Sequence, residues 1–341
     1  MPQPDVLQRL TSARGYPVVS LYVALDQTSA PADNERRLEA ACEEAAERLR
    51  RGPDGADAAR VVGRLSEATD AIDLQHPPAG VAVFATPEEW HSFRLSVAPR
   101  TRVVVAGSPA LRDLLLARQR TPNGRALLLA MHRTRLLDVV DGTCTEHDGD
   151  GFPVVVEPPV EADTPHRDFP LAEHERAEAA RFAFRVVDRA LAPIQNGDPR
   201  PLVLVGVERD LAYYDEVTRH GRHVVGRVHG NHEHDPVSAV APLVLGVLRE
   251  HAEAEAEAEA RRVTESIGSR AVAGIEDVAC AVREGRGRRL VVEEDYVACS
   301  ETGDDRVDSV VADVVAHGGD VVHVRPGALR AHGRIALALR Y

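Results

Sequence analysis

Three stretches of this sequence hold side chains that could do chemistry. His166 stands between Asp163 and Asp168 in the segment Glu157 to Pro170, and an imidazole beside carboxylates can orient a water and take its proton as a general base. A loop histidine near acids is more often only a solvated side chain. Arg181, Arg185 and Arg189 recur at i, i+4, so on a helix they form one stripe whose guanidinium groups could meet RNA phosphates as point contacts. The alternative is a solvated face neutralised by Glu178 and Asp188, with Phe182, Val186 and Ala190 on the adjoining core face. The run Arg227 to Asp235 packs His229, His232 and His234 beside Glu233 and Asp235, which are nitrogen and oxygen donors of the kind metals accept.

Other apparent motifs are incomplete. Gly230-Asn231-His232-Glu233 resembles a fragment of the binuclear metallophosphoesterase site, but that chemistry needs ligands from several loops. No Asp-x-His after an early strand, no Gly-Asp-x-x-Asp and no late Gly-His-x-His accompanies it. Gly285-Arg286-Gly287-Arg288 lacks the Walker spacing and lysine of a phosphate loop. Cys42, Cys144, Cys280 and Cys299 are far apart with no C-x-x-C pair, so they read as small, partly buried thiols and not as a zinc site or disulfide framework. No metal or cofactor is expected.

The elements that must position these residues can be read from periodicity. Pro17 to Val23, Gly80 to Phe84 and Arg102 to Val105 read as strands. Asp33 to Arg51 and Ala56 to Leu74 are Ala/Glu/Arg-rich helices parted by Gly52-Pro53-Asp54-Gly55, and Ser108 to Arg118 is a further helix. Arg125 to Met131 and Thr134 to Val140 predict a hairpin, followed by a loop of about thirty residues and a long helix over Glu173 to Leu191. Pro201 to Gly206 is a buried-strand pattern, Glu208 to His220 a helix, and His223 to Gly226 a strand. Glu253 to Glu259 alternates Glu with Ala, both helix formers, and is expected as a solvated stretch of a helix from about Val237 to Arg262 and as a hinge. Beyond it, Ile275 to Glu284 and Asp304 to His317 read as helices. Arg289 to Val292, Asp320 to Val324 and Gly333 to Tyr341 read as strands, with Gly318-Gly319 as a helix stop. This alternation predicts a small, largely parallel sheet covered by helices.

At 341 residues the chain suits two or three domains. The expected division is an N-terminal α/β domain over 1–122, a middle domain over 123–262 and a C-terminal domain over 263–341. No apolar run approaches the roughly 18 residues that span a bilayer, and the N-terminus lacks a signal-peptide pattern, so a cytoplasmic protein with no membrane partner is expected. The formal net charge of -13 repels polyphosphate at long range, so nucleic-acid binding would need a local basic stripe. Every fixed cation is arginine, since the chain has no lysine. That bias runs through the whole chain and is explained by a GC-rich coding sequence.

Gly285 to Asp295, Val310 to Val324 and Arg334 to Tyr341 together resemble the C-terminal domain of the archaeal and eukaryotic class-1 peptide release factors and of their relative Pelota. The resemblance is above all to the bacterial members of that superfamily, whose best-known relative is the ribosome hibernation factor Balon. The middle segment, in the order hairpin, loop, helix, strand, helix, strand, resembles the RNase H-like middle domain of those factors. The resemblance implies a three-domain α/β protein with a small α/β/α C-terminal domain. It implies binding in or near the ribosomal A site, with rRNA as the contact and tRNA as a further candidate partner, for hibernation or rescue under stress, and a translational GTPase such as elongation factor Tu as a partner.

In the release factors the loop before the long helix carries Gly-Gly-Gln, which positions a water beside the peptidyl-tRNA ester. Here that loop, Glu157 to Pro170, holds four prolines and no glycine, and prolines stiffen a chain. The one Gly-Gly pair, Gly318-Gly319, is followed by Asp320. Peptide release by the usual chemistry is therefore not expected, and the stop-codon-reading tetrapeptide Asn-Ile-Lys-Ser has no counterpart. The expected RNA-facing residues are His166, Arg167, Arg181, Arg185, Arg189, Gly230, Asn231 and His232; relatives show a similar Gly-Asn-His turn. Two competing readings stay open: a peptidyl-tRNA hydrolase using the divergent loop around His166, and a non-ribosomal interaction protein on the same fold.

Overall fold

The computed structural model describes residues 9–10, 15–52, 55–156, 169–299 and 305–341. It contains three sheets and falls into two compact units, one of Met1–Arg120 with Glu253–Tyr341 and one of Thr121–Ala252.

The first sheet has the order β3-β2-β1-β4, where β1 is Val18–Ala24, β2 Gly80–Ala85, β3 Trp90–Leu95 and β4 Arg102–Ala106. All three pairings are antiparallel. Strand β1 is buried on both faces, and its alternation feeds two cores. Val19, Leu21 and Val23 meet Leu38, Ala45 and Leu49 of helix α1 (Pro31–Arg50) and Val61 and Leu65 of α2 (Gly55–Asp70). Tyr22 points the other way, as do Ala82 and Phe84 of β2. Strand β3 was not expected; its polar alternation Trp90-His91-Ser92-Phe93-Arg94-Leu95 buries only Phe93 and Leu95, a weak signal for an edge strand. Helix α3 (Arg112–Arg120) completes this segment.

The second sheet lies in the Thr121–Ala252 unit. Its order is β10-β9-β5-β6-β7, with β8 (Val154–Val155) pairing β6. Strands β5 (Gly124–Leu128), β6 (Arg133–Val140) and β7 (Thr143–Glu146) form an antiparallel meander. Strands β9 (Leu202–Gly206) and β10 (Val224–His229) then add in parallel beside β5. Such pairings need crossovers, supplied by α4 (Phe169–Gly197) and α5 (Glu208–Val217). The expected thirty-residue loop is therefore corrected: it opens with β7 and β8. The signal lay in Asp141-Gly142, whose φ of 53° and 77° make the two-residue turn from β6 into β7, a hairpin signature.

The third sheet has the order β11-β14-β12-β13, formed by β11 (Ala271–Ala273), β12 (Gly287–Glu293), β13 (Asp320–Val324) and β14 (Ile335–Leu339). The expectation of a largely parallel sheet is wrong, because only β12–β13 is parallel, while β14 runs antiparallel to both β11 and β12. Helix α8 (Arg306–Ala316) precedes β13, whereas the segment 325–334 that leads from β13 to β14 holds one 3-10 turn, Arg330–His332, ahead of Gly333, φ 69°. That connection carries no crossover helix, so the chain reverses instead of running parallel.

Helix α6 (Val237–Glu265) contains the whole Glu/Ala repeat. The repeat is helical as expected, but not simply solvated. Ala256, Ala260 and Val263 are buried against the third sheet, and Glu259 pairs with Arg289 at 3.0 Å. The thiols of Cys280 and Cys299 are exposed, where partly buried ones were expected.

The first and third sheets share a core. Tyr22, Phe84, Phe93 and Leu95 lie in one cluster with Leu111 and Leu114, with Val278 and Val282 of α7 (Ile275–Arg283), and with Leu290, Val307, Val311 and Leu337. Residues of β12 and β14 alternate out of it, Val291 and Ala336 packing under α6.

Candidate nucleic-acid interface

Helix α4 carries the arginine stripe, and its packing differs from the expected one. The core face is Ala180, Ala183, Phe184, Val187 and Leu191, a 3.6-residue stripe one step away from the predicted Phe182, Val186 and Ala190. Phe182 is 59% exposed, while Val186 and Ala190 are half-buried. Phe184 meets the buried ring of Tyr214 edge-on, with centroids 6.1 Å apart.

The three arginines are not equivalent. Arg181 donates to Glu178 at 2.9 Å and to Glu216 at 2.7 Å, and its guanidinium lies 5.3 Å from the Tyr213 ring centroid. Its hydrogen bond holds the Glu216 carboxyl below the usual range. Arg185 and Arg189 are exposed and make no ion pair among the described residues. Asp188 does not neutralise them. It is buried and accepts from Thr218 Oγ1 at 2.8 Å and from the Arg219 backbone N–H at 3.2 Å, fixing the turn that follows α5.

Arg185 and Arg189 line a cleft of about 530 Å³ with Arg219 and Arg222 from the turn between α5 and β10. Four guanidinium groups thus meet two carboxylates, Asp188 and Glu216, both already engaged. Arg222 donates from Nε to His223 Nε2 at 3.0 Å. Burial and the Arg222 charge hold the His223 imidazole below its usual range, so it stays a neutral acceptor. The sequence reading missed Arg219 and Arg222, because neither belongs to a periodic pattern. A run of Arg219, His220, Arg222 and His223 just ahead of a strand was the available signal.

The Gly230-Asn231-His232 turn follows β10, while the cleft precedes it. A strand rises about 3.3 Å per residue, so the two lie at opposite ends of the sheet, roughly 20 Å apart. The turn is braced: Gly230 has φ 149° and donates to Gly206 O at 3.0 Å, His232 Nδ1 meets Asp235 Oδ2 at 2.8 Å, and the Asp235 carbonyl accepts from the buried Arg135 at 2.8 Å. Its surroundings are acidic. Burial pushes the Asp210 carboxyl above its usual range, and nearby Glu233 pushes the same way. Among the described residues no group of three or more His, Cys, Asp or Glu side chains is placed to hold a metal. His166 and Arg167 lie outside the described residues.

Residues 125–286, a little under half of the chain, match the family model described as bacterial archaeo-eukaryotic release factor family 3. That segment is similar to the bacterial homologues of the archaeal and eukaryotic release factors. Among solved structures, Archaeoglobus fulgidus Pelota is 14% identical with a TM-score of 0.42, over 99% of this chain and 92% of that one. Dom34 from S. cerevisiae, described as a translation termination-like factor involved in RNA quality control and interacting with Hbs1, is 12% identical with a TM-score of 0.42, over 79% and 82% of the two chains. The archaeal termination factor aRF1 is 14% identical with a TM-score of 0.26, over 99% and 96%. No curated protein sequence matches the chain significantly. No described helix is long and apolar enough to cross a membrane.

Proposed function

We propose that this protein is a cytoplasmic, ribosome-associated translation factor that binds in or near the A site, in hibernation or rescue, without Gly-Gly-Gln peptide release. The observation that carries the reading is the match of residues 125–286 to the bacterial release-factor family. The lack of release chemistry is supported by the sequence itself: Gly318-Gly319 is the one Gly-Gly pair, and it serves as a helix stop. Gly318 has φ 69°, and a Cβ on Gly319 would come within 2.8 Å of Val314 Cγ1. In this reading Arg185 and Arg189 meet ribosomal RNA, Arg181 holds the outer end of α5 in place, and a translational GTPase such as elongation factor Tu delivers the protein. The Gly230-Asn231-His232 turn is a separate candidate contact at the other end of the sheet, and His166 and Arg167 are further candidate contacts that lie outside the described residues.

Sedimentation of tagged protein from growing and starved cells tests this. Salt-sensitive co-migration with 70S particles or 50S subunits in stressed cells is expected. A protein that stays in the soluble fraction at low salt under every condition overturns it.

A further inference from the structure

We propose that the Arg185/Arg189/Arg219 cleft and the exposed ring of Phe182 form one site for single-stranded RNA, with backbone phosphates on the arginines and an unpaired base on the ring. The inference rests on the translation-factor reading and names what that surface grips.

The cleft is electrostatically prepared. Arg185, Arg189 and Arg219 have exposed side chains with no acidic partner among the described residues, in a chain whose formal net charge is -13. Elsewhere arginines are commonly paired, as Arg125 is with Asp138 and Asp198, or Arg135 with Glu146. Guanidinium groups left unpaired around one hollow suit phosphate, whose oxygens match their planar fork.

Phe182 supplies what a simple anion site would not need. It precedes Arg185 by three residues and Arg189 by seven, so all three share one face of α4, with spacings of about 4.5 and about 10.5 Å along the axis. The neighbouring aromatic Phe184 is fully buried, yet Phe182 is 59% exposed. Single exposed apolar residues are ordinary; an exposed ring in line with unpaired arginines has the composition of a stacking platform beside a phosphate track. A duplex hides its base faces and would leave the ring without a partner, so the site selects unpaired nucleotides.

The test is binding of the full-length protein to a labelled single-stranded RNA 12-mer and to a duplex of the same length, measured across a salt series beside ribosome co-sedimentation. The single strand should bind about tenfold tighter than the duplex. Phe182→Leu, which keeps an apolar side chain but removes the ring, should weaken single-strand binding by about tenfold. Arg185→Gln, Arg189→Gln and Arg219→Gln should each lower the salt slope by about 0.7. All four side chains are exposed, so the variants should keep the wild-type thermal transition. Equal affinity for both RNAs, or no effect of Phe182→Leu, overturns the site. If that happens while wild-type protein still sediments with ribosomes, the site fails and the broader reading stands. Selective RNA binding without co-sedimentation upholds the site and overturns the ribosomal reading.

Discussion

Arg102 and Asp308, 206 residues apart in sequence, are joined by two hydrogen bonds of 2.7 and 3.2 Å, with side chains only 18% and 8% exposed. Arg102 also pairs with Asp113 at 2.5 Å, and Arg112 with Asp305 at 3.1 Å. Nearby, the Gln119 amide exchanges two hydrogen bonds with the His323 backbone, 2.7 Å as donor and 2.8 Å as acceptor, and so continues the edge of β13. These contacts rim the core shared by the first and third sheets. Charges so far from water gain their value from being mutually satisfied.

Removing one partner should therefore cost more than removing both. Asp308→Ala leaves Arg102 short of an acceptor, and a loss of about 3 kcal/mol in unfolding free energy is expected. Pairing it with Arg102→Met should recover a substantial part of that loss. Denaturant unfolding of the two singles and the double gives the coupling directly, and strict additivity would mean that the pair is not a unit.

Acid should weaken this region through His323. Burial, with the charges of Arg112 and Arg120, holds its pKa down to about 3, against about 6.5 in an unfolded chain. Between those values the unfolded chain binds more protons, so stability falls as pH drops, by up to roughly 1.4 kcal/mol for each pH unit. His323→Leu should flatten the urea midpoint between pH 6 and 4 relative to wild type.

Gly230→Ala should destabilise the middle domain by about 1 kcal/mol or more. A Cβ there would approach His232 Nε2 to 2.6 Å at a φ of 149°, and His232 is held by Asp235. A lowered thermal midpoint is the readout. An unchanged one would show that the turn relaxes freely.

The arginine stripe should divide when tested singly. Arg181→Gln breaks the pairs with Glu178 and Glu216 and should leave ribosome binding nearly as it was. Arg185→Gln with Arg189→Gln should weaken binding and flatten its salt dependence. Equal effects from all three would return Arg181 to the RNA surface.

Programmed ribosomes should show no stop-codon-dependent peptide release on addition of the protein. Release above background that disappears with His166→Ala would promote the hydrolase reading.

Most helices, and the strands with β-branched runs, were legible because their evidence is local: Val18–Ala24, Leu202–Gly206 and Asp320–Val324 emerge close to their expected bounds. Short polar-flanked strands such as Thr143–Glu146 were not, since a few residues carry no usable period. Sequence also established the absence of Gly-Gly-Gln and the acidic charge balance. It did not decide which apolar stripe of α4 faces inward, because Phe182-Val186-Ala190 and Ala180-Phe184-Val187-Leu191 both satisfy helical spacing. Only contact with the sheet buries the second and leaves Phe182 in water. Likewise, alternation in Val18–Ala24 shows that both faces are apolar, but not that residues from Val278 to Leu337 cover one of them. Arg219 and Arg222 join Arg185 and Arg189 only because a parallel crossover returns the end of α5 beside α4. Pairings between residues distant in sequence depend on how burial is completed in three dimensions, and no local window of residues contains that information.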